Sequence, residues 1–439
     1  MLTTSAKPGL SFVPQDVLKA MERISRAGFD VWLVGGALRD FLLGIEPRDW
    51  DLATNAASAE IISLFPTVIP VGIRHGTVQV HTRTRDIEVT SFGATGKAGI
   101  LNDLARRDFT INSIALSYPD GALLDPNAGR EDLRAGVIRA VGDAQARFFE
   151  DPLRIVRAAR MCGTYGFRVE PATFEAMRKG AGKLEEVSGE RIRDEILKIL
   201  TSANLSEAFG LLRQSGALAK LLPALDAAAN IEVRKASGLS ILDHTLSCII
   251  NCPERTRIRL AALFHKAGMS CGALSAQGDL RSQSAGVAVE TMKGWNMSNR
   301  LIDEVSTLVR HQLTEETFAW SDGRIRRFIT EVGPELLEDF IALAQAELLS
   351  GGYLHGGGTE EMDRLRSCIK TQLGLISAFS VRELALSGKD VMKILGISPG
   401  PEVGKILRGL FDLVQQDPGL NTRESLTRIV VENYRDANR

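Results

Sequence analysis

A mixed α/β head followed by an all-helical remainder is the fold this sequence predicts. Three observations predict it. Helix and strand signals alternate through roughly the first 120 residues, strand signals then fade, and from Ala146 apolar residues recur at three- and four-residue spacing almost to the end. Pro14 to Ala27 reads as a helix with proline in its first turn and Gly28 as its stop. Val31 to Val34 is a short apolar strand. Gly35-Gly36 turns it into a helix over Ala37 to Leu43, which Gly44 ends. Trp50 to Ala53 is the next strand, and Val78-Gln79-Val80 and Ile87-Glu88-Val89 alternate as edge or half-buried strands do. Leu153, Ile155, Val156 and Ala159, then Ile192, Ile196, Leu197 and Leu200, carry the helical pattern onward. Gly351-Gly352 and Gly356 to Gly358 form the one glycine-rich interruption, read as a hinge or loop, and no internal repeat is present.

The 439 residues suit two to four domains. The expected division is a head over 1–140, a helical neck over 141–205, a helical body over 206–350 and a helical tail over 351–439. A hydrophobic content of 44% argues for a core-forming chain and against disorder. The 53 Lys and Arg nearly cancel the 54 Asp and Glu, so a basic groove for nucleic acid has to be local. No apolar run is long enough to cross a membrane, and Met1 to Pro14 lacks a signal-peptide core, which makes the cytoplasm the expected location. Cys162, Cys248, Cys252, Cys271 and Cys368 form no zinc pattern. Cys248 and Cys252, four apart on a helix, read as buried thiols rather than ligands.

Asp49-Trp50-Asp51 falls on the second strand. Side chains at i and i+2 of a strand project from one face, and two adjacent carboxylates repel unless a cation lies between them. Mg²⁺ takes a few carboxylates plus phosphate oxygens. Glu88, from a neighbouring strand, is a candidate third carboxylate. Upstream, Gly35-Gly36 before a helix lets backbone N–H groups approach a phosphate, though the pair is equally a tight turn.

Leu33-Val34-Gly35-Gly36-Ala37-Leu38-Arg39-Asp40 and Arg48-Asp49-Trp50-Asp51-Leu52-Ala53-Thr54 together resemble the first motif of bacterial tRNA nucleotidyltransferases and poly(A) polymerases. Arg106-Arg107-Asp108-Phe109-Thr110-Ile111-Asn112 is similar to the second, Asp120-Gly121 to the third, Glu150-Asp151-Pro152-Leu153-Arg154 to the fourth, and Gly189-Glu190 through Glu195 and Lys198 to the fifth. All five stand in family order, a far more specific sign than any one of them.

The resemblance implies a nucleotidyltransferase head with Asp49 and Asp51 as Mg²⁺ ligands and catalytic residues, alongside Glu88. It implies a nucleotide site of Gly35, Gly36, Arg39, Arg106, Arg107, Asp108 and Asn112, with Asp108 accepting from a ribose 2′-OH. It further implies that Asp151 and Arg154, in the neck, read the base. Carboxylate accepts and guanidinium donates, which complements the amine and ring acceptor shared by cytosine and adenine. The same two residues would also serve as a helix cap and a surface arginine. Glu190, Glu195 and Lys198 are expected to brace the neck rather than touch substrate. The tail segments Ser387-Gly388-Lys389-Asp390 and Gly396 to Lys405 are expected to meet tRNA phosphates.

Two departures from the family pattern matter. The segment Val89 to Ala105 is short where complete CCA-adding relatives carry a longer flexible loop, which favours an enzyme that adds only CC. Secondly, Asp243-His244-Thr245 and Leu260 to Gly268 resemble an HD phosphohydrolase motif with Lys266 in the Asp position; His244, His265 and His311 are therefore read as structural. The expected activity is untemplated addition to the 3′ end of tRNA from CTP, with ATP as a second donor if the full CCA is made. The alternatives are a complete CCA-adding enzyme, an A-adding enzyme or a bacterial poly(A) polymerase. Oligomeric state is not legible.

Overall fold

Strand β1 (Val31–Val34) is the axis of the head. Three of its four residues are buried, because it has neighbours on both sides. The computed structural model describes residues 9–72, 76–93, 96–233, 238–271, 279–313, 315–351 and 359–434; Gly352 and Gly356 to Gly358 lie outside them. Helix α1 (Gln15–Arg26) precedes β1 and buries Val17, Ala20, Met21 and Ile24, one stripe at helical spacing. Gly28, at φ 91, makes the turn between them. Helix α2 (Gly36–Leu42) follows β1 directly, then β2 (Trp50–Thr54), α3 (Ser58–Leu64), β3 (Val68–Gly72), β4 (Thr77–His81), β5 (Asp86–Ser91), α4 (Gly96–Ala105), β6 (Ala115–Ser117) and β7 (Leu123–Leu124).

The sheet has the order β3-β4-β5-β2-β1-β6-β7. Strand β2 runs antiparallel to β1 and parallel to β5, so Asp51 has Val34 on one side and Glu88 on the other. This register is what gathers the carboxylates. The strands at Val78 and Ile87 are as expected, half-buried, and neither is an edge. The edge on that side is β3, which the sequence reading missed. Pro70 interrupts its pattern, and proline is tolerated in a sheet only where no ladder donor is needed.

The head ends with α5 (Gly129–Ala135) and β8 (Val137–Ile138), and α6 (Ala144–Glu150), α7 (Leu153–Tyr165), β9 (Arg168–Val169), α8 (Pro171–Gly180), α9 (Gly189–Ile199), α10 (Leu205–Gln214) and α11 (Ala217–Leu221) follow. Strand β9, which pairs in parallel with β8 at the end of the head, is a small exception to the expected all-helical neck. Helix α7 buries Ile155, Val156, Ala159 and Cys162 and packs on α9 and α10.

The chain forms two compact units, 1–221 and 222–439. The second is helical: α12 (Pro223–Ala228), α13 (Ile241–Asn251), α14 (Thr256–Phe264), α15 (Leu280–Gly294), α16 (Asn299–Arg310), α17 (Asp322–Val332), α18 (Leu337–Leu349), α19 (Thr359–Leu375), α20 (Gly388–Leu395), α21 (Pro401–Gln416) and α22 (Arg423–Tyr434). Its last three helices close on Val391, Ile406, Leu410, Leu426 and Val430. Among the described residues, no helix is long and apolar enough to cross a membrane.

Candidate active site

A cleft of about 960 Å³ opens within the first unit, and every residue assigned from the sequence to the metal and nucleotide sites lines it: Gly35, Gly36, Arg39, Asp49, Asp51, Glu88, Arg106, Arg107, Asp108, Asn112, Asp151 and Arg154. Nine Arg and Lys side chains face seven carboxylates there, so the lining is mixed in charge with a small cationic excess. Asp51 and Glu88 come from the sheet and Asp49 from the residue just before β2, whereas most of the cations come from helices.

Asp51 is the centre of the acid group. Its carboxyl is pushed up to about 6 by burial, by Glu88 beside it and by Asp49, against the pull of Arg107 and of the Gly36 N–H that it accepts. A carboxylate held there among two others is a site short of positive charge. Asp49 is exposed and lies one residue before β2 begins, at its mouth rather than within it. Gly35 adopts φ 74 and ψ −144, and a Cβ placed on it would collide with the Asp51 carboxylate. The glycine pair therefore serves Asp51 itself. The Gly36 N–H, expected to face a phosphate, is directed to this carboxylate.

The second motif forms a buried lattice. Asp108 accepts from its neighbour's Phe109 N–H at 2.8 Å and Asn112 Nδ2 at 2.9 Å on one oxygen, and from Arg157 Nε at 2.8 Å and Nη2 at 2.6 Å on the other. Burial alone would raise its pKa, but Arg157 and these donors hold it down to about 2. A carboxylate has about four acceptor positions, and all are filled, so a ribose hydroxyl would have to displace a donor. Asn112 in turn accepts from Arg39 at 2.7 Å, and Arg39 lies over the Tyr165 ring at 4.8 Å. The Tyr165 hydroxyl donates to Asp40 at 2.7 Å, and burial pushes its pKa to about 12.

Asp151 and Arg154 do not pair with each other. Arg191 holds Asp151 with two bonds, at 3.1 and 2.8 Å, and the Leu153 N–H also reaches Asp151 at 3.3 Å, so a weak cap coexists with the ion pair. Pro152, not Asp151, occupies the N-cap position of α7. Arg154 is held by Glu150 at 3.0 Å and by the carbonyls of Arg147 at 3.0 Å and Arg106 at 3.1 Å. Both side chains are thus fixed in place beside the cleft.

Arg157, Arg160, Tyr165 and Arg191 also line the cleft and were not singled out. The first two follow Arg154 at three-residue intervals on α7, and that spacing was a readable signal. Glu195 braces them, at 3.5 Å from Arg157 and 3.2 Å from Arg160, as expected of it. Lys198, expected to brace the neck, instead lines the cleft.

The family described as Poly A polymerase head domain matches residues 31–139. "Probable RNA and SrmB- binding site of polymerase A" matches 166–229, and tRNA nucleotidyltransferase domain 2 matches 282–430. The chain is 31% identical over 427 residues to the CCA-adding enzyme of Limosilactobacillus fermentum, covering 94% of this chain and 95% of that protein. It is 30% identical over 412 residues to the CCA-adding enzyme of a Geobacillus species, covering 90% of each. Its structure is similar to that of the Bacillus stearothermophilus CCA-adding enzyme in complex with CTP, with TM-score 0.71, 28% identity, and 96% and 98% of the two chains covered.

Proposed function

The chain belongs to the CCA-adding enzyme family of tRNA nucleotidyltransferases, and from that membership we propose that it adds nucleotides from CTP to the 3′ end of tRNA without a template, stopping at CC. The observation that carries the chemistry is the convergence of Asp49, Asp51 and Glu88 on one rim of an arginine-lined cleft. The donor set fits a hard divalent cation. It is all oxygen, and the Asp51 carboxyl, raised first by burial, also has the Glu88 and Asp49 charges beside it. Asp49 and Asp51, with Glu88 beside them, would hold Mg²⁺. When bound, it supplies charge neutralisation at the triphosphate and a more acidic 3′ hydroxyl.

This chain's residues do the rest. Arg39, Arg107 and Arg157 offer cationic donors for a triphosphate, held in position by Asn112, Asp103 and Asp108 respectively. The tRNA 3′ oxygen bonds to the α-phosphorus of CTP, its proton passes to solvent, and the bond to the β-phosphate breaks to release pyrophosphate. Asp151 and Arg154 read the base as acceptor and donor. For Asp151 to accept a base amine, Arg191 has to yield or share it. Asp108 supports the sugar site by fixing Arg157 and Asn112, and contacts a 2′-OH only in exchange for one of its present donors.

The CC product is favoured by the segment Val89 to Ala105. Strand β5 runs to Ser91 and α4 begins at Gly96, so little chain remains between them to act as a lever for switching from C to A. In this proposal head, neck, body and tail divide at 140, 205 and 350. Lys389, exposed in the first turn of α20, and Lys405, exposed near the start of α21, are the tail's candidates for tRNA phosphates.

The test uses purified protein and tRNA lacking its 3′ end, with each nucleotide alone and then all together. Products are sized at single-nucleotide resolution. A stop at CC with ATP abundant is expected. Full CCA would replace the CC reading with the complete one, a single A added only to tRNA ending in CC would make the protein the A-adding partner, and long A tracts on unrelated RNA would make it a poly(A) polymerase.

A further inference from the structure

Helix α13 places His244 and Cys248 one turn apart, and His265 follows the end of α14. All three side chains are buried. His244 Nε2 lies 3.1 Å from His265 Nε2, and Cys248 Sγ lies 3.5 and 3.8 Å from those two nitrogens. The far side of each ring is committed. His244 Nδ1 is 3.0 Å from the Ser350 carbonyl and His265 Nδ1 is 2.6 Å from the Ala262 carbonyl. A carbonyl only accepts, so both Nδ1 atoms carry the hydrogen and both Nε2 atoms present lone pairs. Burial holds both imidazoles neutral, and Lys266 adds to this, with His265 lowered to about 3. Two lone pairs therefore face each other at hydrogen-bond distance with no ring proton between them. One thiol hydrogen can serve only one of the two.

A cation resolves this for both. Zinc bonds of about 2.0–2.1 Å to nitrogen and 2.3 Å to sulfur, at tetrahedral angles, put ligand atoms about 3.4 Å (N to N) and 3.6 Å (N to S) apart. The observed separations match within a few tenths of an ångström. The Nδ1–H to carbonyl bonds are the outer support that histidine ligands of metals ordinarily have.

Lys266 does not oppose such an ion as it would if free. Its ammonium is tied to buried Glu347 and to Gln312 at 3.1 Å.

We propose that His244, Cys248 and His265 bind a structural zinc ion in the second unit, distinct from the carboxylate site. The sequence reading had taken these residues as structural side chains. Binding exchanges the Cys248 S–H bond for a zinc–thiolate bond and releases one proton to solvent. The lysine in place of a metal-binding aspartate leaves the site built for holding shape rather than for hydrolysis.

The test is cobalt(II) titration of the metal-stripped full-length protein, read by the thiolate-to-cobalt charge-transfer absorption, with zinc content by mass spectrometry. Oxygen ligands in the head give no such band. The band is expected in wild type, displaced by one equivalent of zinc, absent in Cys248→Ala and retained in Cys252→Ala and Cys368→Ser. Its absence from folded wild type, or its persistence in Cys248→Ala, overturns the proposal. If Cys248→Ala does not fold, the wild-type spectrum with and without zinc decides alone.

Discussion

Replacing Gly35 by alanine should disable the enzyme by moving one carboxylate, with a modest loss of stability. Gly35 sits at φ 74 and ψ −144, a region that side chains other than glycine's adopt at about 1–3 kcal/mol. The added methyl would overlap the Asp51 carboxylate and lie 3.4 Å from Arg107 Nη1. The backbone there is fixed by β1, so the side chain of Asp51 must swing away. If that displaces one ligand of the metal site, several kcal/mol of charge stabilisation is lost. At 1.36 kcal/mol per factor of ten, a loss of about 3–4 kcal/mol lowers kcat roughly 10²–10³-fold. The comparison is Gly28→Ala. It also imposes a positive φ, at 91, but its methyl would meet nothing within 4 Å. Urea unfolding should show both variants destabilised, while CTP incorporation into truncated tRNA should fall only in Gly35→Ala. Near-normal turnover of Gly35→Ala, or an equal loss in Gly28→Ala, would refute the argument that Gly35 exists to make room for Asp51.

Asp49→Ala and Asp51→Ala should each abolish CTP addition while tRNA binding in a gel-shift assay persists; normal turnover in either removes it from the metal site. Arg191→Ala frees Asp151, and Asp151→Ala or Arg154→Ala removes half of the base-reading pair. The incorporation ratio of CTP to UTP should therefore fall in the last two and change in the first, and unchanged ratios in all three would make this corner purely structural. Asp108, held at about 2 against an ordinary 3.8, stabilises the fold above pH 3.8 and loses that contribution as pH falls towards 2. The difference is worth about 2–3 kcal/mol, so Asp108→Asn should flatten the acid limb of stability against pH, and an unchanged limb contradicts the pairing. No metal-dependent phosphatase activity is expected from the second unit, because Lys266 is locked onto Glu347; nickel- or manganese-dependent phosphate release abolished by His265→Ala would show otherwise.

Local chemistry wrote much of this protein into its sequence. The apolar run Val31 to Val34, the glycine stop at Gly28 and the helical periodicity beyond Ala146 are properties of near neighbours, and the elements formed where they indicated. The motif residues were likewise legible, since each motif is a short segment, and all twelve candidates line one cleft. What the sequence left open was pairing across long separations. Glu88 was expected on a neighbouring strand, but only the parallel register of β2 with β5 sets it directly beside Asp51. Asp108 looked like a free acceptor until Arg157, 49 residues on, filled it. Asp151 and Arg154 looked like a pair until Arg191 and Glu150 took one each. His244 and His265 looked inert because the expected carboxylate is a lysine, yet folding turns their lone pairs towards each other and sets Cys248 alongside. Hydrogen-bond capacity is a property of residue type, but which partner fills it depends on distances that only tertiary packing fixes.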